Sequence, residues 1–115
     1  MEEKELVRRF KNFAYRVYHL AKKIKLEPND RILISQLVDS AFSSASNYRA
    51  SQRAKSTRDF ANKIKIVLEE IDEANFWLLC LEDLKISQDA ELPFLIKESD
   101  SLIAISVSIL KKIKD

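Results

Sequence analysis

No glycine occurs anywhere in the 115 residues, and only two prolines do. Two-residue β-hairpins need positive φ angles that other residues adopt at a cost, and a glycine-rich phosphate loop cannot be built here at all. The chain is thereby steered toward long helices with short connections, and 33% charged residues suits helices that each keep one face in water. At 46% apolar, it can fill one core running along a bundle, and its length allows a single domain, 1–115.

Apolar residues recur at helical spacing in four stretches. Leu6, Phe10, Phe13, Val17, Leu20 and Ile24 advance by steps of 3 and 4, predicting helix one over about 3–26. Pro28 ends it, and Asn29 or Asp30 is placed to cap helix two, about 30–54. That helix carries Leu33, Leu37, Ser40, Ser44 and Asn47 on one stripe and Ile34, Val38, Ala41, Ala45 and Tyr48 on the next. Its middle, Ser40 to Ser46, is almost all small, which lets a neighbour approach closely. Ser56, with Asp59 three positions on, is close to a capping box and opens helix three, about 57–84, where Phe60, Ile64, Val67, Ile71, Ala74, Leu78 and Leu81 repeat. Ser87 or Asp89 caps helix four, about 90–114, and Pro93 falls in its first turn, where no internal amide bond is yet needed. Ile105 to Ile109 alternates like a strand, but the flanking spacing is helical and no partner strand exists. Short connections force neighbours antiparallel, so the predicted fold is all-α, an antiparallel up-down-up-down four-helix bundle.

Several kinds of chemistry are excluded. The longest apolar run, Phe76 to Leu81, is far short of the roughly 20 residues that cross a bilayer. The start of the chain lacks a secretory pattern, and the expected location is the cytoplasm. Cys80, flanked by Leu79 and Leu81, reads as a core residue. The only histidine, His19, follows Arg16 where a metal-binding bundle has Glu-x-x-His, so neither metal nor cofactor is expected. No Ser/His/Asp set can be assembled, and a hydrolase or nuclease would have to rest on Glu70 and Glu73 alone. The expectation is a protein without enzymatic activity.

Three constellations remain. Glu70, Glu73 and Trp77 run beside the helix-three seam with Lys63. Because carboxylates at a core edge need partners, Arg49 or Lys63 is expected to meet them, with Ser40, Asn47 and Tyr48 completing a polar network. Arg8, Arg9, Lys11, Arg16, Lys22, Lys23 and Lys25 make helix one basic, joined by Arg49, Arg53, Lys55 and Arg58 around the turn between helices two and three. Such cations neutralise phosphates, and the interleaved Tyr15, Tyr18 and Tyr48 are suited to stacking on unpaired bases. Arg8, Arg9, Arg16, Lys22, Lys23, Arg53 and Lys55 are the candidate nucleic-acid contacts. The formal charge is only +2, but residues 1–55 hold 12 Lys/Arg against 6 Asp/Glu while residues 56–115 hold 8 against 12. Finally, Ile96, Ile103, Val107 and Leu110 widen the apolar arc of helix four beyond one seam. With the small stretch of helix two, they are the expected contact surface of a homo-oligomer.

The elements Ser40-Ala41-Phe42, Ser46-Asn47-Tyr48-Arg49-Ala50, Ala54-Lys55-Ser56, Asp59-Phe60, Lys63, Glu70, Glu73 and Trp77-Leu78 together resemble the four-helix-bundle proteins encoded by intervening sequences of bacterial 23S rRNA genes. These are sometimes called ribosomal-protein-like. The resemblance covers nearly the whole chain. It implies an antiparallel bundle that assembles as a homopentamer, related to the accessory protein of diversity-generating retroelements, which binds nucleic acid and a reverse transcriptase. The resulting expectation is an oligomeric helical scaffold whose basic surface holds RNA or a nucleic-acid-associated protein. The competing reading is a structural or protein-docking module with no nucleic-acid contact.

Overall fold

The computed structural model describes residues 2–114, with side chains from 5 to 113; Met1, Asp115 and the Lys114 side chain lie outside the described residues. Four helices form: α1 Glu2–Lys23, α2 Pro28–Ser51, α3 Thr57–Asp83 and α4 Glu91–Lys114. Each neighbours the next and α4 closes against α1, giving a rod of 45 × 22 × 20 Å. Phe10 stacks on Tyr48 while Tyr15 meets Phe42, so α1 and α2 run antiparallel. Arg9 paired with Glu98 and Arg16 with Glu91 show the same for α1 and α4. No helix is long and apolar enough to cross a membrane among the described residues.

The predicted seams fill the core. Phe10, Phe13, Val17 and Leu20 of α1 meet Ile34, Leu37, Ala41 and Tyr48 of α2, while Ile64, Val67, Ile71, Ala74, Leu78 and Leu81 of α3 meet Leu92, Leu95 and Leu102 of α4. The closest pair of helices is α2 and α3. The small stretch of α2 suits close packing, with Ser40, Ala41, Ser44 and Ala45 all buried. These four thus lie within the bundle, while Phe42 and Ser46 of the same stretch remain exposed. The Ser40 and Ser44 hydroxyls donate to Leu37 O (3.1 Å) and Ala41 O (2.8 Å), so their burial leaves no donor unpaired.

The α3 and α4 ends follow the sequence, whereas α1 and α2 stop at Lys23 and Ser51, each about three residues short of the expected end. Ser56 Oγ accepts from Asp59 N at 3.0 Å, and the Asp59 carboxylate accepts from Lys55 N at 3.1 Å, a capping box reaching one residue further back. At α4, Asp89 Oδ1 accepts from Glu91 N at 2.8 Å and Ser87 Oγ from Asp89 N at 3.3 Å, so both predicted caps act in relay. At α2 the expectation was wrong: Pro28 is itself the first helical residue, after Glu27, and neither Asn29 nor Asp30 caps. A proline has no amide hydrogen to satisfy, so that first position suits it. Lys85 follows α3 at φ 57°. Ile86 N donates to Leu81 O (3.0 Å) and Lys85 N to Glu82 O (3.1 Å), the paired bonds of a Schellman turn, made here without the usual glycine.

Candidate nucleic-acid interface

The cations of α1 fall into two rows, and tertiary packing gives the rows different fates. Arg9, Arg16 and Lys23, seven residues apart, lie against α4. Arg9 Nε and Nη2 donate to the two Glu98 oxygens at 3.0 and 2.8 Å, with a further bond to Ser101 Oγ at 3.0 Å. Arg16 Nε donates to Glu91 at 2.5 Å while its guanidinium lies 3.9 Å from the centre of the Phe94 ring. Lys23 Nζ reaches Asp89 at 3.3 Å. The bonds to Glu98 hold the Arg9 pKa above its ordinary value, against a desolvation effect that lowers it. The backbone amide of Glu91, helped by Lys23, holds the Asp89 carboxyl below its usual range. Three of the predicted nucleic-acid contacts are thus paired with carboxylates inside the molecule, because the acidic half of the chain docks on the basic half.

The second row is Arg8, Lys11, Tyr15, Tyr18 and Lys22, again at steps of 3 and 4 and all exposed, on the side of α1 toward α2, with Lys25 exposed just beyond the helix end. Tyr15 and Tyr18 lie 6.1 and 6.5 Å from the Phe42 ring of α2, and Lys22 Nζ is 5.5 Å from the centre of Tyr18. His19 is exposed and edge-on to Tyr18 at 5.3 Å. Antiparallel pairing brings Arg49, near the end of α2, beside Lys11. Between them is a depression of about 360 Å³ with Ala14 and Ala45 as its floor and Lys11, Tyr15, Phe42, Ser46 and Arg49 around it. Among the described residues, Arg8, Lys11, Lys25, Arg49 and Arg53 have no carboxylate partner in an ion pair. Lys55 is likewise exposed and uses only its backbone amide, toward Asp59. Tyr48 is not part of this surface, since it is buried against Phe10.

Phe42 is the functional candidate that pattern reading missed. Its signal was a bulky ring standing off the core stripe inside a run of small residues.

Of the predicted polar network, the structure joins Glu73 to Trp77 and sets Arg49 apart from the carboxylates. Trp77 Nε1 donates to Glu73 at 3.1 Å on its own helix, Asn47 Nδ2 to Ser43 O at 2.9 Å on its own, and Lys63 lies 3.9 Å from Asp59. Antiparallel register sets Arg49 near the start of α3, about two to three helical turns from Glu70. Glu70 instead sits half-buried among carboxylates: burial first, then Glu73, Asp39 and Glu69, hold its pKa above the ordinary value. No group of three or more His, Cys, Asp or Glu side chains that would hold a metal is found among the described residues.

On α4, Ile96, Ile103 and Leu110 are half-buried and pack on the core, with Val107 half-buried beside them. The more exposed apolar side chains lie elsewhere: Phe76 (56%) and Leu84 (63%) on or just after α3, and Ile32 (72%) on α2. Cys80 is half-buried at the edge of α3 and so is not a core residue.

Fold and surface together define a four-helix bundle whose charged and aromatic groups lie on its faces. The family model of the 23S rRNA-intervening sequence protein matches residues 2–108, and the chain belongs to that family. A crystal structure of a protein of unknown function from the S23 ribosomal protein family of Bacteroides thetaiotaomicron VPI-5482 is similar. It superposes with a TM-score of 0.83 at 26% identity, covering 96% of this chain and 99% of that one. Neither match indicates an enzyme family. A search of curated proteins found no match.

Proposed function

We propose that this protein is a non-enzymatic, homo-oligomeric helical scaffold that holds RNA on the face shared by α1 and α2. The observation that carries the reading is the set of cations without carboxylate partners among the described residues, Arg8, Lys11, Lys22, Lys25 and Arg49, near exposed Tyr15, Tyr18 and Phe42. Phosphates supply the missing counter-charges, and aromatic rings add affinity that does not depend on base sequence. From Arg8 to Lys22 the row runs about 21 Å, long enough for several nucleotides. The family description ties these proteins to an rRNA gene, which supports RNA as the class of ligand without naming one.

Titration of a labelled RNA against the protein across a salt series tests this reading. Replacing Arg8, Lys11, Lys22 and Arg49 with Gln should weaken binding and flatten its salt dependence, by roughly 0.7–0.9 in log–log slope for each phosphate no longer neutralised. The same change at Arg9, Arg16 and Lys23 should leave the slope unaltered. Absence of binding by the wild type at low salt refutes the reading and leaves the protein-docking alternative.

Self-association completes the proposal. Exposed Phe76, Leu84 and Ile32 supply apolar surface that a second copy would cover, and the family resemblance implies five copies. Light scattering coupled to size exclusion decides it. A stable species near 13.4 kDa rules out the oligomer, and a dimer or tetramer rules out only the pentamer.

A further inference from the structure

We propose that the depression between α1 and α2 seats one unpaired nucleobase, so that the RNA held on this face is single-stranded there. The inference rests on the nucleic-acid reading above and adds which form of RNA is bound and through which side chains.

The shape of the depression comes from two alanines. Ala14 and Ala45, 1% and 8% exposed, stand where α1 and α2 face each other, and their methyl groups are too short to fill the space between larger neighbours. Tyr15 and Phe42 rise beside this floor with 48% and 37% of their surface in water. Their rings are 6.1 Å apart and tilted by 43°, less than the roughly 6.8 Å that a base inserted between two rings needs. A base therefore stacks on the free face of one ring, over the alanine methyls. Ser46, at the rim, has a hydroxyl with no partner among the described residues, available to a base edge.

The charges around the depression suit a chain of phosphates running past that base. Lys11 and Arg49 lie toward one end, and Lys22, against Tyr18, lies toward the other. The carboxylate on α2 nearest in sequence to Phe42 is Asp39, and its field falls on Glu70 across the α2–α3 edge. A duplex would neutralise the same cations but offer no base face to the rings, which would stay solvated. An apolar peptide would cover the rings but bring no counter-charge. An unpaired strand does both.

The test uses the full-length protein and three labelled probes at low salt: an unstructured 12-nucleotide RNA, the same sequence as a blunt duplex, and an abasic strand with equal charge. The wild type should bind the RNA strand most tightly. Tyr15→Leu/Phe42→Leu, which keeps charge and most apolar volume, should lose about 5- to 150-fold for the RNA strand, the loss of one stacked base. It should match the wild type on the duplex and the abasic strand. Lys11→Gln/Arg49→Gln should weaken all three, and thermal unfolding of both variants checks that the bundle is intact. Equal wild-type affinity for RNA and abasic strand, or an unaffected leucine variant, overturns the base seat while leaving the cationic face standing. Wild type that binds none of the probes removes both. Tighter binding of an acidic tyrosine-containing peptide than of the RNA strand assigns the face to protein docking and also overturns the seat.

Discussion

Replacing Arg9 with Gln tests whether the α4-facing row of cations is a structural seam. Three bonds end on this guanidinium, two to Glu98 at 2.8 and 3.0 Å and one to Ser101 at 3.0 Å. The Arg9 and Glu98 side chains are 35% and 20% exposed. That places the pair between solvated pairs, worth about 0.2–1 kcal/mol, and buried ones, whose breakage costs about 3–5 kcal/mol. The bidentate geometry raises the pair above the solvated class, while water on the outer side screens it well below the buried one. The expected loss is about 1.5 kcal/mol, or roughly 6–9 °C in Tm for a domain of this size. Trp77 is the single tryptophan, half-buried with its indole bonded to Glu73, and reports unfolding in urea by fluorescence. A double-mutant cycle with Glu98→Gln should give a coupling of about 1 kcal/mol that shrinks in ~1 M salt. RNA affinity should stay at the wild-type level. A coupling below about 0.3 kcal/mol, or loss of RNA binding with stability unchanged, would refute the assignment of this row to structure.

Further measurements bear on other parts of the molecule. Because the Glu70 pKa is raised in the folded state, its protonated form is favoured by folding, and its charge weakens the bundle at neutral pH. Glu70→Gln should therefore gain about 0.5 kcal/mol at pH 7, an advantage that fades as pH falls through the Glu70 pKa. A loss of stability at pH 7 would show a cation partner after all. Lys85→Gly relieves the left-handed conformation, which costs about 1–2 kcal/mol for a residue with a side chain, against the ~0.5–1 kcal/mol of added backbone freedom in the unfolded state. A net gain of about 0.5–1 kcal/mol in urea unfolding is expected, and no gain would mean the turn relaxes in solution. Ser56→Ala should cost about 1 kcal/mol by removing the α3 cap, and an unchanged urea midpoint would deny the bond to Asp59 N any role.

The sequence by itself determined the helices, their buried stripes and the antiparallel order. Periodicity at steps of 3 and 4 states which residues share one side of a helix, and connections as short as those at 24–27 and 52–56 leave no other route back along the bundle. It also pointed to the basic character of α1 and to Tyr15 and Tyr18 as exposed rings. What it did not contain was the neighbour each side would face. Asn47, Glu70 and Glu73 sit at core edges, but Arg49 is exposed and register separates it from Glu70 along the bundle. Asn47 and Glu73 find partners on their own helices instead. The charge asymmetry of the two halves looked like a surface left for a polyanion. In three dimensions α4 closes on α1, and Glu98, Glu91 and Asp89, 66 to 89 residues away in sequence, take up Arg9, Arg16 and Lys23. Spacing along a chain records the angle of a side chain around its own axis, whereas its ionic partner depends on which helix packs there and in what register. Only the tertiary structure therefore decided which cations of α1 are bound within the molecule and which remain facing solvent.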